Sequence, residues 1–123
     1  MINEIYTESS LTERNTLLNI SLSLKKAGLH CRYKGYNRLV YAVYLVLENE
    51  SRLEAVVKEV YMPVAERFHC SWTAVERSLR IAGDRLWINN SELYEITGIK
   101  LRYPPTPADL LDIFATYIKY GKI

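Results

Sequence analysis

The chain has 123 residues, of which 49% are hydrophobic and 24% charged, with a formal net charge of +2. That is enough chain to bury one core without staples, and it is too apolar to be a disordered tail. The small positive balance admits a nucleic-acid partner but falls short of a strongly basic composition, so any such claim has to rest on where the charge sits.

Helix signals dominate in chain order. Ser10-Leu11-Thr12-Glu13 has the form of a capping box, Leu17, Leu18 and Leu24 carry an apolar stripe, and Gly28 is a C-terminal stop. Gly35 breaks the chain before a second helix over about residues 37–48, apolar nearly all round. Such a helix is either central in the core or presents one face to a partner. Ser51-Arg52-Leu53-Glu54 reads as another capping box, opening a helix through Val60, and Pro63 suits the first turn of a short helix ending near Phe68. A long helix follows over about residues 73–87. A short one from Ser91 ends at Gly98, and residues 100–105 form an irregular loop. Thr106-Pro107-Ala108-Asp109 then starts the last helix, with Thr as N-cap and Pro at the first position. No repeat, linker or strand pattern intervenes, so the expected fold class is all-α, one compact domain over residues 1–123.

The segment Pro63 to Arg80 is the most informative. A short helix, a tight turn and a second helix with arginines on its outer face make up a helix-turn-helix, the unit that sets its second helix in the major groove of DNA. With Thr73-Ala74-Val75-Glu76 as its capping box, the second helix places Val75, Leu79, Ala82 and Leu86 on one face. Thr73, Arg77, Arg80 and Asp84 fall on the opposite face, with Ala74 and Ile81 at one edge. Arginine there can bind guanine O6 and N7 together or clamp a phosphate. In the first helix Val64, Ala65 and Phe68 can pack inward. The turn position that glycine often occupies falls on His69, which tolerates a left-handed backbone less well. Exposed arginines also serve as plain solvated charge, and Glu76 with Arg80 makes an ordinary i,i+4 pair.

Other candidates carry less. His30-Cys31 and His69-Cys70 invite a metal, but adjacent side chains point apart and no CxxC spacing is present, so neither metal nor cofactor is expected. The histidines lack a nucleophile or carboxylate at informative spacing, and no glycine-rich phosphate loop occurs; an enzyme is not expected. Tyr33, Tyr36, Tyr41 and Tyr44 have the spacing of core or rim packing. Arg32, Lys34 and Arg38 flank Gly35 and can reach phosphates beside the groove, as can Lys100 and Arg102 less directly. Residues 1–6 lack the regions of a signal peptide, and the longest apolar run, residues 39–47, is too short to span a bilayer. A cytoplasmic protein without a membrane partner is expected, and two lone cysteines suit a reducing compartment.

Lys34-Gly35-Tyr36, then Lys58, Tyr61, Ala65 and Phe68, then Val75-Glu76-Arg77, Arg80 and Trp87 resemble the C-terminal effector domain of the sporulation initiation response regulator, stage zero sporulation protein A. The likeness extends over about residues 17–120, including Pro105-Thr106. It implies a six-helix DNA-binding domain that regulates transcription in sporulation, with residues 73–87 as recognition helix and double-stranded DNA as partner. It makes Arg77 the foremost base-contact candidate, Arg80 a base or phosphate contact, and Glu76 and Lys34 matched positions. Thr73, Arg38 and Arg102 complete the expected DNA-binding set. A homodimer or tandem binding on DNA, and contact with another regulator or RNA polymerase, are further partner expectations.

Three departures from the family pattern stand out. Ala74 replaces an arginine before Val-Glu-Arg, and Ile81 replaces a polar residue. The helix around Val40, Tyr41 and Tyr44 is more apolar, which suggests an added buried contact or a partner surface. Nothing here resembles the family's phosphoacceptor receiver domain, so the sequence is either an excised domain or a stand-alone version; Met1 followed by the non-matching residues 2–15 favours the latter. A protein-interaction module that kept the fold and lost DNA binding is the competing expectation, supported by Ala74, Ile81 and the apolar residues 40–47.

Overall fold

In the computed structural model, which describes residues 11–30 and 32–123, helix α1 runs Leu11–Lys26 and buries Leu17, Ile20, Ser23 and Leu24 on one face. Leu18, expected on that stripe, is 51% exposed, because it lies about 100° round the helix from Leu17. The capping residue expected at Ser10 and the thiol of Cys31 lie outside the described residues. Gly28 ends α1 with φ 98°. Its N–H reaches the Lys25 carbonyl and that of Leu29 reaches the Leu24 carbonyl, both at 3.0 Å, which is the paired bonding of a Schellman cap.

Helix α2 (Tyr36–Glu48) runs through the core. It packs on most of the other helices, and Val40, Ala42, Val43 and Val46 are at most 1% exposed. This is the burial of a central core helix, with Val40 inside the core and Tyr41 and Tyr44 packed half-buried against it. The next segment departs from expectation. Instead of one α-helix, residues Glu50–Ala55 form a 3₁₀ turn capped by Asn49, whose Oδ1 accepts from the Ser51 N–H at 3.1 Å. A π turn, Val57–Tyr61, then leads directly into α3 (Met62–Arg67). Pro63 accounts for part of this. It has no N–H for the carbonyl of Glu59, four residues earlier, and Arg52 Nη1 donates to that oxygen instead, at 2.6 Å.

Helices α3 and α4 (Trp72–Ile88) form the helix-turn-helix. The turn closes with the same paired bonds as α1: His69 N–H to the Glu66 carbonyl at 3.4 Å and Cys70 N–H to the Ala65 carbonyl at 3.0 Å. The left-handed residue is His69, with φ 54°, so the glycine-like position falls where the sequence puts it. The helix start does not. Ser71 is the N-cap; it is extended, and its Oγ accepts from the Ala74 N–H at 3.1 Å. Thr73 therefore sits inside the first turn, and Glu76 lies beyond the place of a capping-box partner. Val75, Leu79, Ala82 and Leu86 are buried as expected, as are Val64 and Ala65 of α3.

Helix α5 (Asn90–Thr97) ends at Gly98 with φ 78°. Helix α6 (Pro107–Tyr120) has the cap the sequence spells out: Thr106 Oγ1 accepts from the Asp109 N–H at 3.1 Å, and Asp109 Oδ2 from the Thr106 N–H at 3.3 Å. Its Leu110, Leu111 and Phe114 are fully buried in the cluster shared with α1, α2 and α4. Among the described residues there are six α-helices and no strand, and no helix is long and apolar enough to cross a membrane.

His69 offers a direct test of the turn. A left-handed residue with a Cβ costs on the order of 1 kcal/mol, part of which glycine gives back by loosening the unfolded chain. His69→Gly should therefore raise the unfolding free energy in urea by about 0.5 kcal/mol, and His69→Val should lower it.

Candidate nucleic-acid interface

Opposite its buried stripe, α4 exposes Thr73, Arg77, Arg80 and Asp84, with Ala74 half-buried and Ile81 39% exposed at one edge. The loop that follows α1 comes against that edge, and Gly35 is what lets it. A Cβ at Gly35 would lie 2.5 Å from Ser78 Cβ and 2.9 Å from Tyr33 Oη, closer than side-chain carbons pack. Polar bonds then secure the contact. Tyr33 Oη donates to the main-chain carbonyl of Ser78. Arg38 Nη1 donates to Ser78 Oγ, which itself donates to the Ala74 carbonyl, both at 3.0 Å. The Arg85 guanidinium lies over the Tyr33 ring, 5.1 Å from its centre. Burial holds the Tyr33 phenol above its ordinary range against the opposing pull of Arg85 and Arg38, so it remains a donor at neutral pH.

A second close approach holds α4 through its buried Gly83. A Cβ at Gly83 would lie 2.8 Å from the carbonyl oxygen of Pro105, in the loop before α6. Two contacts, each without room for a methyl group, thus fix α4 to the loops beside it.

Between α4 and the first loop lies an open groove of about 450 Å³. Lys34, Arg38 and Arg77 line it with positive charge, Tyr33, Ser71 and Thr73 with hydroxyls, and Ala74 and Ile81 with apolar atoms. Among the described residues, none that lines it is acidic. Tyr33 is shared with a shallower hollow of about 300 Å³ that adds His30, Arg32 and Arg85. Cations therefore follow one edge of α4 along its length.

The structure brings four of the residues singled out from sequence, Lys34, Arg38, Thr73 and Arg77, into this groove. Glu76 and Arg80 do not line it; they pair with each other at 3.6 Å. They act on Tyr61, whose phenol is pushed up to about 12, first by burial and then by Glu76, with Arg80 opposing. Arg102 is separate, lining a hollow that also contains Asp109 and Asp112. Arg85 and Ser78 join the site without having been singled out. The i, i+4, i+8 spacing of Arg77, Ile81 and Arg85 is a signal for Arg85. Ser78 has none in sequence, since its part depends on Gly35, which is remote along the chain.

A family model described as sporulation initiation factor Spo0A C terminal matches residues 20–118. This is a family of helical, DNA-binding helix-turn-helix domains that regulate transcription in sporulation, and it is not an enzyme family.

The Gly35–Ser78 contact is open to a double-mutant cycle. Gly35→Ala should destabilise the protein in urea by about 1–3 kcal/mol, the range for overpacking a fitted contact. In a Ser78→Gly background, where the opposing Cβ is gone, most of that loss should disappear.

Proposed function

We propose, taking as premise that the chain belongs to the sporulation initiation factor Spo0A C-terminal family, that it binds double-stranded DNA with sequence preference and regulates transcription through α4 lying in the major groove. The observation that carries this reading is the groove itself: Arg77 on α4 and Lys34 and Arg38 beside it face one cavity to which no described residue brings a carboxylate. A duplex presenting its backbone to Lys34 and Arg38 brings base edges to Arg77 and Thr73.

Arg77 and Arg80, both exposed on the outer face of α4, divide the work on electrostatic grounds. Arg80 shares its charge with Glu76, which weakens its pull on phosphate and leaves it a secondary contact. Arg77 has no ion-pair partner among the described residues, so its fork of donors is free for guanine or phosphate. Arg102, beside two aspartates, is the weakest member of the expected set. The competing interaction-module reading loses part of one support, because Val40, Ala42, Val43, Leu45 and Val46 are buried in the core, while Tyr41, Tyr44 and Leu47 pack against it half-buried.

Mobility-shift titration at two salt concentrations, on random duplexes and on duplexes selected from a random pool, tests the assignment. Arg77→Ala should lose about 1–3 kcal/mol on the selected site and keep wild-type stability in urea. Equal loss on every sequence would make Arg77 a phosphate clamp. Lys34→Ala should weaken binding alike on all sequences and reduce the salt slope by about one. If the wild-type protein retards no duplex even at low salt, the proposed function is wrong.

A further inference from the structure

The groove beside α4 is not uniformly polar. Ala74 and Ile81 lie seven positions apart, close to the same angular position on the helix, and both line the cavity between the charged groups. Ile81 is 39% exposed and Ala74 half-buried. Nothing in the core needs an isoleucine here, since the buried stripe is complete with Val75, Leu79, Ala82 and Leu86. Thr73, at the same end of the groove as Ala74, can add its methyl group. A small apolar strip is thus framed by Lys34, Arg38 and Arg77.

The frame selects the occupant. Cations around the strip call for an anionic polymer, whereas an apolar peptide side chain would leave three cations facing it without counter-charge. In the major groove, the apolar feature that a base pair displays among its polar edges is the 5-methyl group of thymine, and alanine and the threonine methyl are suited to it. Guanine has no such group, and neither Ala74 nor Ile81 can donate to its O6 or N7.

We infer that Ala74 and Ile81 are specificity-determining residues, each placed to read the 5-methyl group of a thymine beside the base contacted by Arg77. The inference rests on α4 lying in the major groove, as proposed above. Tyr33 and Arg38 act here as positioning residues: through Ser78 they hold the loop against α4 and so set the width of the groove at the strip. The methyl contact adds preference for thymine over cytosine at that position, which arginine-to-guanine contacts alone do not supply.

The test uses the full chain and its selected duplex. Each thymine is replaced in turn by deoxyuridine, which removes only the methyl group, and affinity is measured at one fixed salt concentration. Wild-type protein should bind about fourfold more weakly at one or two positions, the ratio corresponding to about 0.8 kcal/mol for a buried methyl. The double variant Ala74→Ser/Ile81→Asn should bind thymine and deoxyuridine duplexes alike at those positions, with urea unfolding confirming its fold. Ala74→Arg, selected afresh from a random pool, should exchange the preferred thymine for guanine. Selected duplexes bound equally well with deoxyuridine at every position would overturn the inference and leave DNA binding standing. A methyl effect that survives in the double variant would also overturn it, by assigning the contact to other residues. Absence of any retarded complex would overturn both readings together.

Discussion

Everything at the candidate interface depends on one missing methyl group, that of Gly35. The loop after α1 can lie against α4 only because nothing projects from Gly35 toward Ser78, where a Cβ would come within 2.5 Å of the serine's own. Once the backbones are that close, Tyr33 reaches the Ser78 carbonyl and Arg38 reaches its hydroxyl. Both bonds run from the loop side to α4 and secure the approach that Gly35 permits. Arg38 is the first-turn residue of α2, so the same contact ties the central core helix to α4. Core packing and surface site share a single constraint.

That constraint also decides how a weakly charged chain concentrates positive potential. A net charge of +2 spread evenly would steer nothing. Folding sorts it: Lys34, Arg38 and Arg77 converge on one groove that no described acid lines, and Arg32 and Arg85 extend the edge past Tyr33. Glu76 is turned to Arg80, and Asp109 and Asp112 lie with Arg102 in another hollow. The separation of signs, rather than their sum, is what an anionic duplex meets.

Much of this was legible in the sequence, where local chemistry decides the outcome. Gly28, Gly98 and the Thr106–Asp109 box mark helix ends because their conformations or side chains do the capping themselves. The apolar stripe of α4 and the left-handed turn at His69 are likewise local. What could not be read depends on partners distant along the chain. The 3₁₀ and π winding of residues 50–61 involves the Arg52 side chain bonding to Glu59 near Pro63, so a pattern that resembles a capping box at Ser51 is overruled. The competition between Ser71 and Thr73 as cap is decided by the geometry of the preceding turn. Ser78 and Arg85 enter the site only because the loop after α1, remote along the chain, lands on them. The same distinction separates Leu17 from Leu18, neighbours of equal hydrophobicity that differ only in which way the helix turns them.

The close fit on both flanks of α4 has an energetic consequence for recognition. With Gly35 against Ser78, Gly83 against Pro105, and Ser71 capping the first turn, the helix and the loop beside it are held in place before any ligand arrives. On the proposed reading, binding orders exposed side chains such as Arg77 and Lys34 and spares the backbone cost that a disordered recognition segment carries. A scaffold held this firmly leaves little room to compensate for a changed side chain by shifting the helix. On the proposed reading, discrimination at Ala74 and Ile81 is set by what those side chains can touch, and a substitution there changes which base is preferred before it changes how the domain is folded.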